Sequence, residues 1–290
     1  MQDVIYSVAV GPRYVRLAQM MVDSLRWAGW DGRVVLFADA RVRGAETIEY
    51  KGDVMQTLML RASVWLDWPL DCDRALFCDS DILWRRSPQA LFDYAEDAGT
   101  HYAFAEGSLK AAGHWTMKYY LDDREIGDHH LAYNAGLVCA SRRCWIKGAG
   151  QWIVDDYIGA DQPAFNKAAV RGEIKVEPFP ADWMNFEYPG FPSHADPVLE
   201  HHMGAGKDEM AVRYRCMREA NNAVTARELA KDPACQATAA ERLRVCSTCP
   251  NSASVSPSSV ICKAVGDRRI NPFVGKCKLR KWPAVVAQSA

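Results

Sequence analysis

Short apolar runs bounded by turn residues alternate along the chain with stretches whose apolar positions recur every three or four residues. Residues 4–10 (VIYSVAV) form a β-rich run ending at Gly11-Pro12, a strand followed by a turn. Over residues 14–27, Val15, Ala18, Met21, Val22 and Leu25 repeat at helical spacing, and Gly29 closes the helix. Residues 33–38 (RVVLFA) read as a second buried strand, 47–50 as a short third and 55–66 as a helix. A fourth strand at 75–78 runs straight into Asp79-Ser80-Asp81. Ser87-Pro88 opens a helix through Tyr94, with serine at the N-cap and proline in the first turn. Further strands are expected at 102–105, 136–140 and 174–176, and a further helix at 162–170.

Strands alternating with helices predict an α/β fold with a mainly parallel central sheet flanked by helices. Ligands in such sheets bind beyond the carboxyl ends of the strands, where Gly11, Asp39 and Asp79 to Asp81 fall. From about Arg213 the pattern changes. Residues 213–245 read as helical, rich in Ala, Arg and Glu, and 251–259 (NSASVSPSS) as a low-complexity loop. The expected division is an α/β domain at 1–212, a helical connector at 213–245 and a small Cys-rich tail at 246–290.

Charge and cysteine usage support that division. The net charge of −1 separates into nine Lys/Arg against two acidic residues in 241–290, a charge of +7, and −8 for the rest. Of ten cysteines, Cys235, Cys246, Cys249, Cys262 and Cys277 crowd into the last quarter. Cys78 and Cys139 lie in apolar strand-like runs, where a thiol behaves as a small core hydrophobe. The apolar share of 49% with 24% charged is that of an ordinary globular protein. No apolar run reaches the ~20 residues that span a bilayer. A basic leader is absent ahead of the first strand, and a cytoplasmic location is the expectation.

Two acids one residue apart are common in solvated turns. Here four apolar residues precede the pair and Ile82-Leu83-Trp84 follow it, so both carboxylates are fixed at the exit of a buried strand. Such a pair repels itself unless a cation is shared between the side chains. A hard divalent ion with oxygen ligands, bridging carboxylates to substrate phosphates, fits that chemistry. Other motifs follow in order: Tyr133-Asn134-Ala135-Gly136, Asp161-Gln162, and His201-His202-Met203-Gly204-Ala205-Gly206-Lys207. Asn134 and Gly136 pair an amide able to bond sugar hydroxyls with a glycine that lets backbone approach a ligand. Asp161 suits a helix N-cap. An imidazole from the histidine pair would complete a metal set, and neighbours on an extended chain point to opposite sides, so only one of the two can serve.

Together these segments resemble the nucleotide-diphospho-sugar transferases of the GT-A fold. They are most similar to glycosyltransferase family 8, the group of glycogenin and the bacterial lipopolysaccharide galactosyltransferases. The resemblance covers roughly residues 4–210 and rests on Arg74-Ala75-Leu76-Phe77-Cys78-Asp79-Ser80-Asp81-Ile82-Leu83 and the three motifs above. It implies a glycosyltransferase of hexosyltransferase type, a UDP-sugar or related nucleotide-sugar donor, and retention of anomeric configuration. It implies Mn2+ or Mg2+ held by Asp79, Asp81 and His201. Val8, Tyr14, Arg61, Ser80, Gly136, Gly204 and Lys207 would then contact the donor, with Asn134, Asp161 and Gln162 as the catalytic shelf and Gln162 nearest the anomeric carbon. The sequence departs from the family at Lys207-Asp208-Glu209, where Lys-Pro-Trp is usual, and at Asp161-Gln162-Pro163, where Asp-Gln-Asp is usual. The acceptor would be a glycan, lipid or protein. The aromatic stretch 183–191 would either stack an acceptor sugar or pack as a loop over the sheet edge.

In the tail, Cys246-x-x-Cys249 followed by Cys262 and Cys277 reads either as a structural Zn2+ site or as reduced thiols in a loosely ordered segment. Its positive charge would suit nucleic acid, an anionic acceptor or docking on the acidic domain. Two other functions compete. A degenerate transferase domain would bind carbohydrate or nucleic acid without turnover. A nucleotidyltransferase would need an early Gly-rich basic loop, for which Gly11-Pro12-Arg13 is thin.

Overall fold

A computed structural model describes residues 2–51, 64–65, 70–112, 121, 125–152, 161–187, 191–204, 206–229, 233–250, 252–256, 259–262 and 268–270. The chain divides into two compact units, Met1–Tyr214 and Arg215–Ala290.

The first unit is built on a seven-stranded sheet. Its strands are β1 (Asp3–Ala9), β2 (Arg33–Ala38), β3 (Glu46–Glu49), β4 (Arg74–Cys78), β6 (His101–Ser108), β7 (Leu131–Ser141) and β8 (Val176–Pro178), in the order β3-β2-β1-β4-β7-β6-β8. Only β7 runs against its neighbours; the other four pairings are parallel. A second, three-stranded sheet is formed by β5 (Ile82–Trp84), β10 (Leu199–His201) and β9 (Met184–Phe186). This is the expected mixed α/β fold with a mostly parallel sheet.

Period-two alternation sorts the strand residues between two faces. Ile5, Leu36, Leu76 and Cys139 join one core with Ala18, Met21, Val22 and Leu25 of helix α1 (Pro12–Trp27). Val4, Tyr6, Val35, Phe37, Ala75, Phe77 and Val138 face the other way. There they meet Trp145 of α4 (Arg142–Trp152) and Phe165 of α5 (Asp161–Val170). Trp65 stacks on Trp145 at 5.6 Å between centroids, and its indole N–H donates to the Tyr6 hydroxyl at 2.9 Å. Burial on both faces explains why these strands are almost wholly apolar. Cys78 and Cys139 are fully buried, and burial drives both thiols far above the usual range, as a core role requires.

Arg74, the first residue of the motif that ends in Asp79-Ser80-Asp81, has a structural job. It grips Asp3 with two hydrogen bonds of 2.8 and 2.7 Å and also donates to the Phe92 carbonyl, near the end of α2 (Gln89–Tyr94). The pair locks β1 to β4 at the strand ends opposite Asp79.

Three local expectations shift. The strand expected at 136–140 is the centre of the eleven-residue β7, so Asn134 and Gly136 lie inside a strand. Residues 184–186 of the aromatic stretch form β9 and are not a loop. In the second unit, α6 (Gly206–Leu229) leads from the first unit and α7 (Pro233–Ser247) follows. Part of the expected low-complexity loop is a strand, β11 (Ser252–Ser256), paired antiparallel with β12 (Ser259–Cys262), which pairs with β13 (Arg268–Ile270). Alternate small polar residues carry no amphipathic signal, yet ladder hydrogen bonds do not depend on side-chain polarity.

Candidate functional site

β4 delivers Asp79 and Asp81 at its carboxyl end, and two backbone bonds pin the segment on both sides. The Asp79 N–H donates to the Gly136 carbonyl at 2.7 Å, and the His202 N–H donates to the Asp81 carbonyl at 3.0 Å. Antiparallel pairing of β10 with β5 places His201 opposite Ile82, directly beside the acids. His201 Nε2 lies 3.3 Å from Asp81 Oδ1 and 3.8 Å from Asp79 Oδ2. His202 points the other way, its Nε2 3.5 Å from Glu200 Oε2. Of the histidine pair, His201 is the one beside the two acids.

The site is buried and strongly charged. Asp81 and His201 are buried, Ser80 between the acids is buried, and Asp79 is part exposed. Burial works against the Asp81 carboxylate, but His201 and Lys207 together hold it well below the usual carboxylate range. Burial likewise opposes a charged His201, and the two carboxylates nevertheless raise its pKa. Lys207, in the first turn of α6, donates to Asp81 Oδ2. Gly204, with φ of 53°, makes the turn between His201 and that lysine.

A divalent ion fits the donor set. The three ligand atoms lie within 4.8 Å of one another. An ion with bonds of about 2.1 Å holds adjacent ligands about 3 Å apart and opposed ones about 4 Å apart. Asp81 Oδ1 is buried without a hydrogen-bond partner, an orphan that a cation would satisfy. Gly136 keeps the space open: a Cβ there would sit 2.6 Å from Asp79 Oδ2, 2.7 Å from His201 Cε1 and 2.8 Å from Asn134 Oδ1.

Beside this corner two strands depart from regular pairing. On β7, Ala135 to Leu137 bulge away from β6, because Ala103 pairs with Val138 and Phe104 already with Asn134. On β6, Glu106 is the extra residue between Ala105 and Gly107. Bulges re-aim side chains. Glu106 accepts from Asn134 Nδ2 at 2.6 Å and from Gln162 Nε2 at 3.2 Å, so one carboxylate holds both amides. Gln162 Oε1 in turn accepts from the Ala135 N–H at 3.2 Å, and Asn134 Oδ1 from the Gly136 N–H at 2.9 Å. One helical turn beyond Gln162, buried Asn166 bonds both backbone groups of Tyr133, at 2.7 and 2.9 Å, fixing α5 on β7.

Sequence reasoning missed Glu106 and Asn166. A Glu-Gly step closing an apolar run was the available sign of a bulge. Val8 and Tyr14 sit at the end of β1 and in the first turn of α1, both half-buried against the two cores. Asp161 begins α5, and its side chain lies outside the described residues, as do Arg61 and Cys277. Phe186 of β9 packs on Phe191 at 4.7 Å and flanks His201 at 6.1 Å.

No protein-family profile matches the chain, and no curated protein sequence matches it. Solved structures do. The galactosyltransferase LgtC, in complex with donor and acceptor sugar analogs, matches over 74% of this chain and 96% of its own, with a TM-score of 0.54 and 16% identity. The chain has the GT-A fold. An active-site mutant of LgtC matches over 76% of this chain and 96% of its own (TM-score 0.52, 15% identity). The bifunctional glycosyltransferase WbbM in its apo form matches over 73% of this chain and 49% of its own (TM-score 0.52, 11% identity). Likeness at this identity establishes architecture, and function is argued from the site. Among the described residues no helix is long and apolar enough to cross a membrane.

Proposed function

We propose that this GT-A chain is a metal-dependent glycosyltransferase moving a sugar from a nucleotide-diphosphate donor, a UDP-sugar first among them, to a glycan, lipid or protein acceptor. The observation that carries the reading is the convergence of Asp79, Asp81 and His201 around a space that Gly136 leaves open, at the carboxyl end of β4. That is where α/β sheets bind ligands.

Asp79, Asp81 and His201 would hold Mn2+ or Mg2+, whose bound form supplies Lewis-acid stabilisation of the leaving diphosphate. The rest falls to the chain itself. Lys207 exchanges Asp81 for the diphosphate, adding a positive charge where negative charge develops. Gly204 and Ser80 bring backbone close to the phosphates, while Val8, Tyr14 and Arg61 belong to the nucleotide end. Glu106 fixes Asn134 and Gln162 so that their amides face the sugar, with Asp161 orienting its hydroxyls at the head of α5. The resemblance to family 8 supports retention, with Gln162 on the face of the anomeric carbon.

The test is turnover of a panel of UDP- and GDP-sugars with Mn2+, with and without acceptor. Asp79→Ala and Asp81→Ala should each lower kcat/KM by about 10³-fold, several kcal/mol of transition-state stabilisation. Undiminished turnover in excess chelator would refute the metal assignment. Absence of both turnover and nucleotide binding in the unaltered protein would favour a non-catalytic binding domain.

A further inference from the structure

A cavity of about 460 Å³ opens at the carboxyl ends of β2 and β3, and none of its lining residues has a part in the site described above. Asp39 and Arg41, from the segment after β2, and Thr47 and Glu49 of β3 give it a polar lining, with three alanines between them. Its volume is that of a small-molecule site. The register explains why these residues meet. Ala38, the last residue of β2, pairs with Ala9 on one side and Glu49 on the other, so three parallel strands end level. Asp39 follows directly and is exposed. Its Oδ2 accepts from the Gly11 N–H at 2.9 Å, which fixes the carboxylate beside the start of α1. A Cβ on Gly11 would meet nothing within 4 Å, so the turn itself faces open space.

The chemistry of the lining favours one end of a nucleotide over the other. Carboxylates at neutral pH accept hydrogen bonds and repel phosphates. Thr47 Oγ1 accepts from the Val42 N–H at 3.2 Å, and its own O–H can still donate. An uncharged group rich in hydroxyls suits these partners. The sheet order says which group that is. β1 lies between β2 and β4, so the carboxyl ends that carry Asp39 and Asp79 are two strand spacings, about 10 Å, apart. Asn134 and Glu106 lie on the opposite side of β4, on β7 and β6. With the diphosphate at the end of β4 and the sugar toward β7, the nucleoside extends over β1 toward Asp39. By analogy, dinucleotide-binding α/β folds use an acidic side chain after their Gly-bearing first turn to bond ribose hydroxyls.

We propose that Asp39 is a further donor-binding residue, its carboxylate accepting from the ribose hydroxyls of the nucleoside, with Thr47 and Glu49 lining the same cavity. The assignment rests on the nucleotide-sugar reading above and deepens it by naming what holds the far end of the donor. No bond forms or breaks at Asp39, so the residue sets nucleotide affinity and leaves the chemical step to the metal corner.

Calorimetric titration of the full chain, with Mn2+, tests this using UDP, GDP and the dideoxy analogue of each, which lacks both ribose hydroxyls. Loss of the hydroxyls should weaken binding about 10- to 100-fold in the unaltered protein. Asp39→Asn keeps an oxygen for the Gly11 N–H and lies on the surface, so the fold should survive. That variant should bind the ribose nucleotide about 10-fold more weakly and the dideoxy analogue as before. Equal affinity of the unaltered chain for ribose and dideoxy forms would overturn the assignment. An equal loss of both forms in Asp39→Asn would do so too, since it would make Asp39 a support for the turn or a contact to the base. Absence of all nucleotide binding would overturn the donor reading together with this one, whereas binding indifferent to the ribose hydroxyls would overturn this one alone.

Discussion

At the scale of single residues, the site depends on what Gly136 lacks. Its backbone φ is ordinary, so conformational freedom is not the reason for glycine here. The reason is volume, because any Cβ would intrude on Asp79, His201 and Asn134 at once. Gly136→Ala should keep the fold, since β7 tolerates alanine elsewhere, and weaken Mn2+ binding about 10- to 100-fold. Titration of Mn2+ against the unaltered protein checks this, and equal affinities would show that the pocket has slack. The acidic pair and His201 were legible in the sequence because an apolar strand frames them and a motif order connects them. The family resemblance picked His201 over His202; the physical reason lies in the β5–β10 register, which three-residue strands do not announce.

At the scale of elements, the long buried strands were legible and the irregular ones were not. β1, β2 and β4 are apolar on both faces, and α1 repeats its buried positions at helical spacing, so each declares itself locally. β8 begins two residues later than its apolar pattern suggests and ends on Pro178, which an edge strand accommodates. The paired bulges of β6 and β7 could not be read, because an extra residue is defined only against a partner strand. Those bulges aim Glu106 at Asn134 and Gln162. In Glu106→Gln, one of two oxygen acceptors becomes an NH2 group facing an amide donor, which misplaces Asn134 or Gln162. The expected result is a 10- to 100-fold fall in kcat, about 1.4 to 2.7 kcal/mol, with Mn2+ affinity unchanged. A loss of thermal stability with kcat intact would make Glu106 structural only.

At the scale of the whole molecule, pH stability has an identifiable weak point in the first unit. His101 is buried between β6, α4 and α5, with Trp145 and Phe165 edge-on to its ring. Burial pushes its pKa down to about 4, against weaker upward pulls from backbone groups. The unfolded chain, with a histidine pKa near 6.5, therefore binds more protons between those values, and folding stability falls as pH drops through that window. Between pH 7 and pH 5 the loss should be about 2 kcal/mol, read from denaturant unfolding. His101→Gln should flatten that slope, and an unchanged slope would acquit the histidine. The same bookkeeping of partners governs the Lys207–Asp81 contact. An ion taken up alone on Asp81 Oδ1 lies beside the Lys207 ammonium group on Oδ2 and is repelled by it, whereas an ion arriving with a diphosphate offers that ammonium a new anion. Under the proposed function, ion and nucleotide then reinforce each other's affinity by an equal factor, and the chain favours loading both in company over loading either in solitude.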